Sequence, residues 1–282
     1  MPPRCSKNGT WSSGWAAERR DSRAVRGGAR GGGGGYGRAV PNPQPTLQPK
    51  LQIDIWSDIA CPWCYIGKRH LEQALEKFAH KDEVEIVWRA FELDPSAPKT
   101  RDDSQSYAER IAKKYGTRTE QAQQRIDQMV ATAAGDGLEF RFDRIRPGNT
   151  FDAHRLVHLG HERGVQDAVK ERLLRAYMTE GQAIGERDVL VTLAREAGLD
   201  EQEAREVLEG DRYTTEVRQD EALARELGIS GVPFFVLDGK IGVSGAQPAE
   251  VLLGALDKAW SDHRPAIEMH AEGAACGPDG CD

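Results

Sequence analysis

Apolar and polar positions alternate at the start of the patterned part of the chain. In Leu51-Gln52-Ile53-Asp54-Ile55-Trp56-Ser57-Asp58, residues Ile53, Ile55 and Ser57 alternate with Gln52, Asp54, Trp56 and Asp58, the period of a strand. Beyond Ile59-Ala60-Cys61-Pro62-Trp63-Cys64-Tyr65-Ile66-Gly67 the apolar positions spread to Leu71, Leu75 and Phe78, which is helical spacing. Val84-Glu85-Ile86-Val87-Trp88-Arg89-Ala90 predicts a second strand, so the opening is a βαβ unit. Mostly helical pattern follows, with helices expected near 104–116, 118–134, 150–163, 166–179, 187–197, 200–209 and 213–227. Thr117 with Glu120, and Asp200 with Glu203, have capping-box spacing. Gly116, Gly164, Gly198 and Gly228 mark stops, and Arg146-Pro147-Gly148 marks a turn within the loop Glu139–Asn149. Strand pattern returns at Pro233–Leu237. A turn at Asp238-Gly239 leads to Ile241–Ser244, and Pro248 opens a last helix over Ala249–Trp260. Strands at both ends and helices between them predict one α/β domain split by a helical insertion. Its first part spans 50–98, the insertion 99–227 and the second part 228–262.

Composition narrows the function classes. The 282 residues are 39% hydrophobic and 29% charged, with a mean hydropathy of -0.61, as in a soluble globular protein. No run of 18 apolar residues occurs, so no transmembrane helix or membrane partner is expected. The net charge of -7 is uneven: residues 1–49 carry +6 and the remainder -13. A body that acidic repels phosphate backbones and makes nucleic acid an unsuitable partner. Residues 1–49 hold ten of the 30 Gly, including Gly31–Gly35, followed by Pro41-Asn42-Pro43-Gln44-Pro45. They are expected to be a disordered, dispensable leader; they lack the apolar segment of a secretory signal. Residues 263–282 form a Gly/Ala-rich flexible tail ending in Cys276-Gly277-Pro278-Asp279-Gly280-Cys281. Without a secretory signal the expected compartment is the cytoplasm, where a catalytic disulfide is ordinary and a structural one is not.

Four of the five cysteines form two tight pairs, Cys61/Cys64 and Cys276/Cys281, a pattern of redox or metal chemistry rather than of architecture. Cys61-Pro62-Trp63-Cys64 lies between a strand and a helix. There the free N–H groups and partial positive charge of the helix start stabilise a thiolate. Cys61 is therefore expected to have a depressed pKa and to attack as the nucleophile. Cys64, on the same helical face and less exposed, would resolve the mixed disulfide. Pro62 suits the first turn, having no N–H to leave unpaired. The other readings are two incidental thiols, or a zinc half-site that Cys276 and Cys281 would have to complete from the tail. A strand-to-helix CPxC is a poor zinc knuckle, and no metal is expected.

The CPWC between strand and helix, the helical insertion and Gly231-Val232-Pro233 together resemble the DsbA-like branch of the thioredoxin superfamily. Four blocks in order resemble its FrnE-like subgroup, whose members are also labelled 2-hydroxychromene-2-carboxylate isomerase-like. These are Ser57–Gly67, Asn149-Thr150-Phe151-Asp152-Ala153-His154-Arg155, Gly228–Pro233 and Ser244-Gly245-Ala246-Gln247-Pro248. The resemblance covers about residues 51–262. It implies an α/β thioredoxin fold with a large all-helical insertion between its βαβ and ββα halves. It also implies a thiol-disulfide oxidoreductase or isomerase acting on protein or small-molecule thiols and disulfides. Val232-Pro233 would be a cis peptide beside the cysteines that shapes the substrate groove, and Asn149 and His154 would line the cleft. No bound cofactor is implied, glutathione could serve as co-substrate, and a homodimer is common among such proteins. DsbA itself has a His in the dipeptide; Trp63 cannot supply that charge, which predicts weaker thiolate stabilisation and a less oxidising pair.

Alternatives differ in chemistry. A glutathione-dependent isomerase or kappa-type transferase has Ser where Cys61 stands, so retention of both cysteines argues against it. A redox-switched binding protein or holdase would bind stoichiometrically without turnover. Cys276 and Cys281, joined by a turn-forming Gly-Pro-Asp-Gly, are either a second redox pair exchanging with the first or an incidental tail pair. His154, His158 and His161 fall on one helical stripe that could offer two metal ligands, but no second-shell pattern accompanies them. The charged segments Glu171–Arg175 and Glu201–Glu206 read as solvated faces.

Overall fold

Strand β1 (Leu51–Ser57) forms where the alternation predicts it, with Leu51, Ile53 and Ile55 fully buried. The computed structural model describes residues 50–99 and 105–263, and the backbone of two short strands, Cys276–Gly277 and Gly280–Cys281. The leader 1–49 with Cys5, and the other residues of the tail, lie outside the described residues. Helix α1 (Pro62–Lys77) and strand β2 (Val84–Ala90) complete the βαβ opening. β2 runs parallel to β1 in a register from Leu51↔Val84 to Ser57↔Ala90. Seven helices follow: α2 (Tyr107–Tyr115), α3 (Thr119–Gly135), α4 (Phe151–Glu162), α5 (Gln166–Met178), α6 (Arg187–Glu196), α7 (Glu201–Glu209) and α8 (Thr214–Glu226). Strands β3 (Phe234–Leu237) and β4 (Ile241–Ser244) then join the sheet, and α9 (Ala249–His263) closes it, three residues longer than expected. The sheet order is β2-β1-β3-β4, with β3 antiparallel to both neighbours. The β3–β4 turn has Asp238 and Gly239 at φ 52° and 65°, as a two-residue hairpin turn of this hand requires.

Helices α1 and α9 pack together on the sheet face formed by Leu51, Ile53, Ile55, Phe235 and Leu237. Helix α8, the last of the expected insertion, covers part of the other face. The Trp56 indole N–H donates to the Asp220 carbonyl at 2.9 Å, and Ala224 and Ile229 pack on its ring. The outer edge of β2 is closed by side chains. Gln166 of α5 accepts from the Trp88 N–H and donates to the Trp88 carbonyl, and the Asp220 carboxylate accepts from the Ala90 N–H. These contacts satisfy an edge strand that would otherwise present unpaired backbone.

Local expectations failed where tertiary contacts claimed the same groups. Thr117 does not cap α3: its N–H closes α2 on the Ala112 carbonyl, after Gly116 in the left-handed region, and α3 begins beyond Arg118. A capping box forms instead at Ser106/Glu109, while Asp200 caps α7 by accepting from the Glu203 N–H at 2.8 Å. The turn falls at Phe142–Arg144 rather than at Arg146–Gly148. Gly148 instead runs against other chain segments, where an added Cβ would sit 2.5 Å from the Lys99 carbonyl oxygen. Glu171 is not on a solvated face. It accepts from the Tyr65 hydroxyl and pairs with Lys68 and Arg69, joining α5 to α1.

Candidate active site

Cys61 occupies the N-cap of α1 and Pro62 its first turn, so the cysteines stand where the helix presents unpaired N–H groups. Cys61 is 5% exposed and Cys64 is fully buried; both are free thiols, and the Cys64 N–H donates to the Cys61 carbonyl at 3.1 Å. Trp63, between them, is 41% exposed and projects from the site. The Val232-Pro233 peptide is cis, and the Cys61 thiol donates to the Val232 carbonyl at 3.5 Å. The loop approaches α1 so closely that a Cβ on Gly67 would lie 2.9 Å from Pro233 Cγ. Tyr107, at the start of α2, stacks on Phe142, with ring centroids 4.5 Å apart. Exposed Leu93, just past β2, has its N–H on Asp58.

A set of buried polar groups lies beneath the sulfurs. Asp58 is 1% exposed and accepts from the Leu93 N–H at 2.8 Å; its other oxygen is 3.4 Å from His154 Nε2. Burial pushes the Asp58 carboxyl up, but His154, the Leu93 N–H and the Thr150 hydroxyl outweigh this and hold it below the ordinary range. Burial pushes His154 down, towards its neutral form, and Asp58 offsets only part of that. Lys170 of α5 is fully buried and donates to the Ser57 carbonyl at 3.1 Å.

The two sulfurs titrate as one pair. Burial opposes a thiolate at Cys64, but the Cys61 S–H, Lys170 and the Ser57 hydroxyl outweigh it, and the first proton leaves below the ordinary thiol range. The remaining proton, on Cys61, is held well up by its hydrogen bond to Cys64, by burial and by Asp58. Cys61 is the less buried of the two residues.

Of the other residues singled out from sequence, His154 lies under the cleft with no exposure rather than on its wall. Asn149 accepts from the Phe151 N–H at 2.9 Å and donates to Glu92 at 3.1 Å, tying the start of α4 to the end of β2. The three histidines of α4 do not converge: His154 meets Asp58, His158 meets Asp220 at 2.9 Å, and His161 is exposed. The strands containing Cys276 and Cys281 pair antiparallel, with these two residues as register partners. Sequence reasoning did not single out the buried Asp58 and Lys170. Asp58 stands within the first motif block, whereas nothing in the local pattern marks Lys170.

The chain is similar to known proteins in sequence and fold. The DSBA-like thioredoxin domain family matches residues 52–257. The uncharacterized protein YwbO of Bacillus subtilis (strain 168) is 31% identical over 214 residues, 75% of this chain and 96% of its own. A probable DsbA oxidoreductase from Streptomyces coelicolor is 47% identical, with a TM-score of 0.72 over 82% of this chain and 98% of that one. The cytosolic disulfide reductase DsbM from Pseudomonas aeruginosa is similar in fold, with a TM-score of 0.53 at 18% identity over 75% of this chain and 99% of that one. The family match spans most of the sheet, both cysteines, the cis-proline loop and the helices between, and the chain belongs to the DSBA-like thioredoxin domain family.

Proposed function

We propose that the protein is a thiol-disulfide oxidoreductase, with Cys61 as the attacking sulfur and Cys64 as the resolving one. The observation that carries this reading is the pair itself: two free cysteines at a helix start, with the thiol of the less buried one donating to the Val232 carbonyl beside the cis proline. The 47% identity to a probable DsbA oxidoreductase supports it. The Cys61 thiolate, at the start of α1, attacks a substrate disulfide. One substrate thiolate leaves and Cys61 becomes a mixed disulfide. Cys64, once deprotonated, attacks Cys61 Sγ, forms the Cys61–Cys64 disulfide and expels the second substrate thiolate. Two electrons pass from the pair to the substrate sulfurs, and the released thiolates take up the two protons from solvent. The sulfur pair carries the electrons, so the step requires neither metal nor nucleotide.

Val232 and Pro233, with Pro62 and Trp63, frame the groove in which a protein or small-molecule thiol substrate lies. Exposed Trp63 and Leu93 give its mouth an apolar surface suited to peptide segments. Glutathione is the proposed co-substrate that resets the pair, and the cytoplasm the proposed compartment. No helix among the described residues is long and apolar enough to cross a membrane. The tail cysteines are proposed as a second exchanging pair; their backbone register supports it, since antiparallel partners lie within disulfide reach.

The test, in the full-length chain with Cys5, Cys276 and Cys281 changed to Ser, is Cys64→Ala incubated with a peptide disulfide and read by intact mass. It should accumulate a mixed disulfide on Cys61, and Cys61→Ser with Cys64→Ala should form none. Turnover surviving in Cys61→Ser would overturn the reading and favour a glutathione-dependent isomerase.

A further inference from the structure

We propose that His70 of α1 is a positioning residue of the substrate groove: in its protonated form it pins the loop after β4, and through it the cis-proline loop, to α1 and to the end of α3. The inference rests on the oxidoreductase reading and adds to it a residue that the local pattern does not mark.

The Ser244–Pro248 block is bonded to the cis proline. The Gly245 N–H donates to the Pro233 carbonyl at 2.8 Å, with Gly245 at φ 80°. The Gln247 N–H donates to the Gly245 carbonyl at 2.9 Å, and the Gln247 side chain donates to the Ser244 carbonyl at 2.9 Å. The Gln247 carbonyl in turn lies 2.8 Å from His70 Nδ1. At the other end of the series, Val232, joined to Pro233 by the cis peptide, accepts from the Cys61 thiol at 3.5 Å. A continuous set of bonds therefore runs from His70 to the groove.

The second ring nitrogen shows what His70 requires. Asp136 ends α3, where the helix already carries a partial negative charge, so its carboxylate is stabilised by a cation. Its Oδ2 is 3.1 Å from His70 Nε2, and its Oδ1 accepts from the Gln73 side chain at 3.3 Å. Both ring nitrogens thus meet oxygens that can only accept. A neutral imidazole has one N–H and would set a lone pair against one of them; the imidazolium has two and satisfies both. The His70 and Asp136 side chains are only 16% and 14% exposed, so water replaces these bonds poorly. A further charge that interacts with His70 is Glu250, in the first turn of α9, which is itself paired with Lys77 at 3.4 Å. On α1 the positions one turn away are Ile66, Gly67, Gln73 and Ala74, none of them charged.

Loss of the second proton leaves the ring one N–H for two acceptors. An ionised carboxylate holds an N–H more strongly than a carbonyl does, so Nε2–H stays on Asp136. The Nδ1 lone pair is then left against the Gln247 carbonyl, and that contact opens. The Ser244–Pro248 loop loses its bond to α1, and Pro233 loses the support behind it. Histidine is the side chain whose charge changes between about pH 5 and pH 8, so the groove is held firmly in acid and loosens as pH rises.

The test is nitrogen-15 NMR of the full-length chain labelled at histidine, titrated from about pH 5 to about pH 9. The His70 signals are those missing from His70→Gln. On losing its second proton, the parent ring should become the Nε2–H tautomer. In Asp136→Asn the new amide can donate to Nε2 while its oxygen keeps the Gln73 contact. The neutral ring of D136N should therefore be the Nδ1–H tautomer, still on Gln247, and its midpoint should fall by at least about one pH unit. With glutathione as reductant, the KM for a peptide disulfide should rise at least about threefold across the titration in the parent, relative to D136N. Cysteine ionisation is common to both proteins, so the ratio isolates His70. A parent whose neutral ring is Nδ1–H, or a KM ratio that does not change with pH, overturns the proposal. The tautomer is read on the parent itself, so it decides the matter even should D136N not fold. A parent that turns over no peptide disulfide would instead overturn the oxidoreductase reading, while the tautomer would still decide whether His70 releases Gln247.

Discussion

Replacing Gly67 by alanine sets two quantities of similar size against each other. Gly67 lies inside α1, where alanine is favoured over glycine by about 1 kcal/mol. The added methyl would meet Pro233 Cγ at 2.9 Å, the Phe235 ring at 3.4 Å and Ala246 Cβ at 3.5 Å. Pro233 Cγ belongs to a closed ring and cannot rotate away, so the loop or the helix must move. Overpacking of this kind costs about 1–3 kcal/mol. Gly67→Ala should therefore lose roughly 0–2 kcal/mol net, read from urea unfolding followed by tryptophan fluorescence. Function should suffer more than stability, because the displaced segment holds the Val232 carbonyl 3.5 Å from Cys61 Sγ. A misplacement of about 1 Å can cost about 100-fold in rate, so a loss of at least about tenfold in glutathione-coupled turnover is expected. A variant more stable than the parent by about 1 kcal/mol, with parental turnover, would refute the reasoning. It would show that the helix and the proline loop are not in the contact described.

Two further outcomes follow from the same contacts. Glu171 has its pKa lowered from 4.5 to about 2: burial opposes the charge, but Lys68 and Arg69 outweigh it. A depressed carboxylate pKa contributes stability that is present above the unfolded value and lost as pH falls through the folded one. The stability gap between parent and Glu171→Gln should therefore be full above pH 4.5 and close between there and about pH 2; a gap independent of pH would remove Glu171 from the α1–α5 joint. Changing both Cys276 and Cys281 to Ser should slow re-reduction of Cys61–Cys64 by glutathione if the tail pair exchanges with it. Unchanged turnover and reduction potential would show that the tail pair takes no part.

Much of the fold was legible in local pattern, because burial on one side of an element imposes a period that the chain must obey. Leu51, Ile53 and Ile55 announce β1, and Asp238-Gly239 announces the β3–β4 hairpin with the positive φ angles it adopts. All seven helices of the insertion lie close to their expected spans. The CPWC pair was legible for a different reason: its chemistry needs two sulfurs one helical turn apart at a helix start, which is a local demand. Capping at Thr117 misled because Gly116 and Thr117 were already committed to ending α2.

What only the tertiary structure decided is the environment of those sulfurs. Lys170 is more than 100 residues from Cys64 in sequence, in a helix whose neighbouring residues Glu171 and Arg175 suggested a solvated face. Its burial arises because α5 is held against the edge of β2 by Gln166 and against α1 by Glu171. His154 gave the same kind of signal as His158 and His161, and only packing separated a buried partner of Asp58 from an exposed ring. The distinction is physical. Secondary structure and the identity of a reactive pair follow from short-range sterics and chemistry. A pKa and the partners of a buried charge depend on dielectric and distance, which are set by segments far apart in the chain.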